Sequence, residues 1–300
     1  MNDYLEKEII RLVNNYETPR RISFSGKYPA FKKQIVFLHC LFKSIQYFFD
    51  PRIKLKRSNN FFNYILASHQ AVLRRAYGNS DLVLQENKII NLKKAIEKIN
   101  GVVVGPGKVF SFWNTIGSPA DKNGYVSGRF FINGKVEEET GGGLCQLSTF
   151  LFWMFLHIPA KILERHNHSI DDFPGSGNNL PFRCGAAVLY NSVDLKIRND
   201  HKYPIQLKLW VTENDLNGQI VSLGEMPGKI NIVEDNHCFI KTGDKIYQYS
   251  EIYREIINNS GLIKKERTAT NFTQVLYKVT DGFIKENNFE YYDFSSMPDC

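Results

Sequence analysis

The stretch 139-ETGGGLCQLSTFLFWMFLH-157 runs three glycines into a Leu-Cys pair and then into a dense apolar segment. A segment that is apolar on every side predicts a helix surrounded by protein, because it leaves no face for water. Gly141, Gly142 and Gly143 predict a tight backbone turn at its start, and Pro159 lies just past its end. Short β-prone runs punctuated by glycine flank this helix: 102-VVV-104, 129-RFFI-132 and 186-AAVLY-190. The alternating stretches 194-DLKIRN-199 and 204-PIQLKLWV-211 read as half-buried strands. One buried helix among many short strands predicts an α+β fold.

Three zones follow. Residues 1–98 read as a helical, basic N-terminal region packed on the remainder. Residues 99–211 read as the core domain around GGGLC, and residues 212–300 as a β-rich extension of the same fold. In the first zone Leu5, Ile9, Leu12 and Val13 recur at helical spacing. Further helices are expected over residues 31–49, where lysines interleave with large aromatics, over 61–77, and over 91–99, which Asn100-Gly101 closes. In the third zone Asn217-Gly218 reads as a turn between two strands. IYQYSEIYREII, GLIKKE and TQVLYKV read as further strands, and the tail NFEYYDFSSMPDC, which has no period, as a poorly ordered end.

A chain of 300 residues can bury a core without disulfides. Its five cysteines are scattered and form no CxxC, which fits neither a disulfide framework nor a zinc knuckle. The N-terminus carries acids where a signal peptide would carry bases, and no run reaches about 18 apolar residues. A cytoplasmic location with reduced thiols is the expectation. Net charge is +7 (38 − 31), and residues 1–60 alone hold 12 basic and 5 acidic side chains, also +7. The excess is therefore confined to the N-terminal fifth, which suits peripheral contact with an anionic membrane surface. No nucleic-acid motif accompanies it.

The chemistry centres on Cys145. In the first turn of a helix, free N–H groups and the helix dipole favour an anion, so the thiol pKa is expected to fall. The amides from Gly143 to Gln146 would then hold an oxyanion in acyl transfer, with the Gln146 side chain as a further donor. A thiolate enzyme needs a base and a group to orient it. The cluster 164-ERHNHSIDDFPGSGNN-179 supplies candidates. On a strand over 161–168, Glu164, His166 and His168 share one face. His168 or His166 is the candidate base and Asp171 the orienter. Gly141, Gly142, Gly143, Glu164, Arg165 and Asn179 are the candidate substrate-binding residues. The competing expectation is an inert buried thiol, with the histidines bonded to loop backbone. His166 and His168 with Asp171 or Asp172 fall short of a full metal-ligand set, so neither metal nor cofactor is expected. The glycines lack the spacing of a phosphate loop, and Glu137, Glu138 and Glu139 would repel an anion. Phe112 and Trp113 read as core.

The run 101-GVVVGPGKVFSFWNTIGSPADKNGYVSGRFFINGKVEEETGGGLCQLSTFLFW-153, with 164-ERHNHSIDDFP-174 and 180-LPFRCGAAVLYNSVDLKIRND-200, resembles the VanW-like family. The resemblance extends from about His69 to 261-GLIKKE-266. It implies an accessory protein of glycopeptide (vancomycin B-type) resistance or of cell-envelope metabolism. The pattern E-R-x-x-H-S makes His168 the first choice as base. Two functional expectations follow. One is Cys-dependent acyl transfer or amide hydrolysis on a peptidoglycan-related or peptide-like substrate. The other is non-catalytic binding of a cell-wall precursor or a partner protein at the membrane.

Overall fold

The computed structural model describes residues 3–17, 50–74, 82–132, 135–171, 184–190, 192–258 and 260–295. The helix expected over 31–49 therefore lies outside the described residues, as do Asp172, Asn178 and Asn179. The chain forms two compact units, residues 1–51 and 52–300. In the first, helix α1 (Asp3–Glu17) buries Leu5, Ile9 and Val13, which recur every four residues on one face. Its exposed face carries the pairs Lys7–Asp3 and Arg11–Glu8.

The second unit is α+β. Its strands are β1 (Lys56–Arg57), β2 (Tyr64–Val72), β3 (Val102–Val104), β4 (Val109–Ser111), β5 (Ser127–Ile132), β6 (Lys135–Thr140), β7 (Ala160–Glu164), β8 (Ile170–Asp171), β9 (Lys196–Asn199), β10 (Ile205–Val211), β11 (Asp215–Ser222), β12 (Lys229–Thr242), β13 (Lys245–Asn258), β14 (Gly261–Val275) and β15 (Glu290–Asp293). Its helices are α2 (Leu82–Ile99), α3 (Phe112–Ile116), α4 (Leu144–Leu156) and α5 (Asp281–Glu286). Among the described residues the strands form an antiparallel sheet β1-β3-β10-β11-β2, a long-stranded sheet β15-β12-β13-β14-β8, a small sheet β4-β9-β7 and the hairpin β5-β6.

The GGGLC helix is present as read, with α4 buried from Leu147 through Leu156. It lies on β2 and β11. At Gly218 a Cβ would stand 2.6 Å from Phe150 Cε1 and 2.9 Å from Met154 Cε. That contact corrects one expectation: Asn217-Gly218 is not a turn but the middle of β11, paired with Trp210 and Leu209. Glycine is there for helix approach, and the actual turn is closed by Thr212, which accepts from the Asp215 N–H at 3.1 Å.

Two further expectations are corrected. The described part of the helix expected over 61–77, residues 61–74, holds strand β2 instead, because β11 offers it eight antiparallel partners from Asp215 to Ser222. Tertiary pairing overrides a local helical pattern. The tail is not wholly irregular. β15 pairs parallel with Cys238–Lys241 of β12, anchored by Phe289, whose ring lies 4.2 Å from His237 and 5.5 Å from Phe239.

At the C-terminal end of α4, His157 Nδ1 donates to the Trp153 carbonyl at 2.9 Å. His69 of β2 packs on Phe150 at 5.2 Å, and its buried Nε2 has no hydrogen-bond partner among the described residues. Burial lowers both histidine pKa values, and His157 lowers that of His69 further. A depressed folded-state pKa leaves stability intact above the unfolded value near 6.5 and removes it as pH falls toward the folded value. Thermal melts should therefore lose several degrees between pH 7.5 and 5.5, and His69→Gln should narrow that loss. An unchanged pH difference in the variant would contradict the assignment.

Candidate functional site

The entrance to α4 is built by backbone packing. Gly141 (φ +83°) and Gly143 (φ +94°) occupy the left-handed region that other residues adopt at a cost. Gly142 lies against Gly128 of β5 so closely that a Cβ would stand 2.2 Å from the Gly128 carbonyl carbon. Asn91 of α2, wholly buried, clamps this contact. Its Nδ2 donates to the carbonyls of Val126 at 3.0 Å and Gly142 at 2.9 Å, and its Oδ1 accepts from the Val126 N–H at 2.9 Å.

Beside this turn is a cleft of about 40 Å³, bordered by Gly141, Cys145, Glu139, Val188, Trp113 and Tyr190, among others. That volume suits a few waters or one small ligand group rather than a whole drug-sized molecule. Trp113 meets Tyr190 edge-on at 5.4 Å. Its indole N–H donates to the Val193 carbonyl at 2.8 Å, and its backbone N–H to Asp194 at 3.1 Å. Buried Asp194 also accepts from Ser111 Oγ at 2.6 Å and from the Leu195 N–H at 2.8 Å. Burial raises its pKa against those bonds. Trp113 is core, as its sequence context suggests, and also forms a wall of the cleft.

The next wall is Val188, Leu189 and Tyr190, from the segment 184–190 that runs along α4. Ser148 Oγ donates to the Ala186 carbonyl at 2.6 Å, and Thr149 Oγ1 accepts from the Ala186 N–H at 2.9 Å. One turn earlier, the Cys145 thiol donates to the Val188 carbonyl at 3.5 Å. Arg165 braces the segment from outside. It donates to the carbonyls of Gly185 (2.7 Å) and Thr270 (3.0 Å) and to Asn271 Oδ1 (2.6 Å), with its guanidinium over Phe152 at 5.1 Å. Burial lowers its pKa to about 10.

The expected acidification of the thiol meets an opposing effect. Cys145 does stand in the first turn of α4, but burial raises its pKa, outweighing its backbone hydrogen bonds. Desolvation of a thiolate exceeds what one helix terminus supplies when solvent is excluded. The other sequence candidates divide between the cleft and its supports. Gly141 borders the cleft, while Gly142 and Gly143 pack behind it, Gly143 against Lys88. Gln146 Nε2 donates to the Val72 carbonyl at 2.8 Å. Glu164 accepts from the Asp194 N–H at 2.9 Å and pairs with Lys196 at 2.8 Å. His166 is exposed, 3.8 Å from Glu164, and its backbone bridges to Ala187. His168 lies against Gly185, and its carbonyl accepts from Thr273 Oγ1 at 3.1 Å. Asp171 ends β8, paired with Val275. Among the described residues, neither imidazole bonds the Cys145 thiol.

Sequence reasoning missed Val188 and Tyr190 as cleft residues and Asn91 as the clamp. No local pattern marks the first two, which reach α4 only through tertiary structure. Asn91, a polar residue on the Leu92–Ala95–Ile96 face of α2, was the one available signal.

A model of the VanW like protein family matches residues 87–221, a span that contains the clamp, the glycine turn and every cleft residue. The vancomycin B-type resistance protein VanW of Enterococcus faecalis is 30% identical over 230 residues, 75% of this chain and 83% of that protein. The uncharacterized protein YoaR of Bacillus subtilis is 28% identical over 118 residues, 39% of this chain and 37% of that one. No solved structure matches the chain. Identity that runs through the cleft and covers most of both chains has one consequence: this protein belongs to the VanW-like family.

Proposed function

We propose that this chain is an accessory protein of glycopeptide resistance that binds, without covalent chemistry, a small group of a cell-envelope precursor or peptide-like molecule in the cleft beside Cys145. The resistance association is carried from the name of the Enterococcus relative and is supported by a match over three-quarters of this chain. The binding reading rests on one observation: the thiol lines the cleft as a hydrogen-bond donor to Val188, with a pKa raised by burial. A neutral, donating thiol is a poor nucleophile and a serviceable cleft wall. In this reading the protein works in the cytoplasm, and its basic residues 1–60 draw it to the anionic membrane surface.

Cys-dependent acyl transfer is the second reading. The placement of the thiol at the mouth of α4, bordering open space, favours it. Alkylation separates the two. Binding predicts that iodoacetamide modifies Cys145 more slowly at pH 7 than a free cysteine, with the rate climbing only above the ordinary thiol range. It also predicts that Cys145→Ser preserves the glycopeptide-resistance phenotype of a strain carrying the gene, while Tyr190→Ala weakens it. Rapid alkylation at pH 7 together with loss of phenotype in Cys145→Ser would replace binding with catalysis.

A further inference from the structure

Three strands of the first sheet, β10, β11 and β2, have a face turned away from α4. Gly218 of β11 points at the helix, since its Cβ would stand 2.6 Å from Phe150 Cε1 and 2.8 Å from Leu209 Cδ2. Leu209 is its partner on β10, and His69, its partner on β2, packs on Phe150. Neighbours along a strand point to opposite sides. The residues flanking these three therefore share the outer face, in two cross-strand rows: Lys208–Gln219–Ser68 and Trp210–Asn217–Gln70.

The outer face joins one open aromatic ring to uncharged polar groups. Trp210 is 39% exposed, whereas the other two tryptophans, Trp113 and Trp153, are 6% and 8% exposed. Lys208 steadies the indole, with its Nζ 5.8 Å from the Trp210 ring centre and 5.5 Å from that of Phe61. Buried Gln206 closes the face at one end: it accepts from the Phe62 N–H at 3.1 Å and donates to the Ser58 carbonyl at 2.8 Å. The side chains of Ser68, Gln70 and Gln219 make no hydrogen bond among the described residues. Asn217 makes a single long one, from Nδ2 to the Asp215 carbonyl at 3.3 Å. The three strands together contain one lysine and one aspartate, Lys208 and Asp215.

A ligand that suits this face is neutral, flat and rich in groups that both donate and accept. Nucleic acid needs a surplus of cations, and the charge here sums to zero. A lipid surface needs a contiguous apolar patch, which the amides interrupt. A folded protein would bury those amides at a cost unless it matched each one. Sugar hydroxyls match them in many arrangements, because hydroxyl and carboxamide groups each donate and accept. The negative face of an indole attracts the C–H bonds of a pyranose ring. A β-1,4-linked chain of such rings is a flat ribbon, and the row from Trp210 to Gln70 crosses three strands, about 10 Å.

We propose that the outer face of β10, β11 and β2 binds a neutral β-1,4-linked glycan chain, stacked on Trp210 and hydrogen-bonded by Gln70, Asn217 and Gln219.

The test is titration of the full chain with two β-1,4-linked tetrasaccharides, one of glucose and one of N-acetylglucosamine, followed by tryptophan fluorescence and by calorimetry. Saturable binding of at least one, with Kd on the order of 1 mM or tighter, is expected, together with a change in Trp210 emission. Trp210→Ala should weaken the calorimetric affinity about tenfold, and Gln70→Ala about threefold. Tyr291→Ala, which removes an exposed ring from β15 in the other sheet, should leave it unchanged. Retained melting temperatures exclude unfolding as the cause. Binding of neither tetrasaccharide, or binding indifferent to Trp210→Ala, overturns the proposal. Self-association of the chain that is lost in Trp210→Ala, with no glycan bound, overturns it too and gives the face to a second copy. Tyr190→Ala leaves this titration unaffected, so its result stands apart from that for the cleft beside Cys145.

Discussion

Gly142→Ala should cost about 3 kcal/mol or more and leave much of the protein unfolded at 37 °C. The physical reason is backbone against backbone. The added methyl carbon would stand 2.2 Å from the carbonyl carbon of Gly128 and 2.3 Å from its oxygen, and neither can swing aside as a side chain can. Relief requires β5 to separate from the turn, which breaks the Asn91 bonds to Val126 and Gly142 on the way. Gly243→Ala provides the contrast. Gly243 also has a positive φ, +54°, but nothing stands within 4 Å of its missing Cβ. Only conformational strain applies there, about 1–2 kcal/mol. Urea denaturation of the two variants should show a midpoint shift at least twice as large for position 142. Equal shifts would mean that the glycine pair is not the constraint it is taken to be. If the Gly142 variant can be purified cold, its cleft should be open and Cys145 should alkylate faster, since the burial that raises its pKa depends on the same packing.

The sequence announced those features whose cause is local. The helix from Leu144 to Leu156 could be read because an unbroken apolar run has one economical solution, and the glycines before it mark a turn whichever partner they meet. The strands of β9 and β10 could be read from alternation alone. What escaped was set by partners distant along the chain. β2 resembles a helix until β11, some 150 residues later, is placed beside it. Asn217-Gly218 carries a turn signature, and only the approach of Phe150 and Met154 shows that the glycine serves packing. The same division runs through the site. Cys145 and Gly141 were identifiable, but the thiol's character was not, because helix-terminus reasoning counts favourable dipoles and omits the solvent removed by Val188, Leu189 and Tyr190. Arg165 drew attention as a ligand contact. Its four neighbours in three separate segments make it a brace between the 184–190 segment, β14 and α4.

Asn91→Leu should destabilise the chain by about 3–5 kcal/mol, because the cost falls on the groups left behind. The substitution keeps the volume close and adds apolar surface in a fully buried position, so a packing argument alone would rate it mild. The hydrogen bonds decide otherwise. The Val126 N–H and the Gly142 carbonyl lose the partner Asn91 supplies, while the Val126 carbonyl keeps the Gly141 N–H at 3.0 Å. Two buried backbone groups without partners cost roughly 1–3 kcal/mol each, and the turn bearing Gly141 loses its anchor as well. Asn91→Asp separates bonding from shape. Its carboxylate can still accept from the Val126 N–H, but when ionised it faces two carbonyl oxygens with no proton to offer them. Burial and that repulsion raise its folded-state pKa above the unfolded value. Its stability is therefore best below the unfolded pKa near 4 and declines as pH rises through the folded one. Denaturation at pH 4.5 and 7.5 should accordingly show Asn91→Asp nearer to the parent chain at the acid value, whereas Asn91→Leu stays equally far at both. An Asn91→Asp variant that loses no ground with rising pH would show that the clamp does not use the amide as a donor. The support of the cleft by α2 would then need another source.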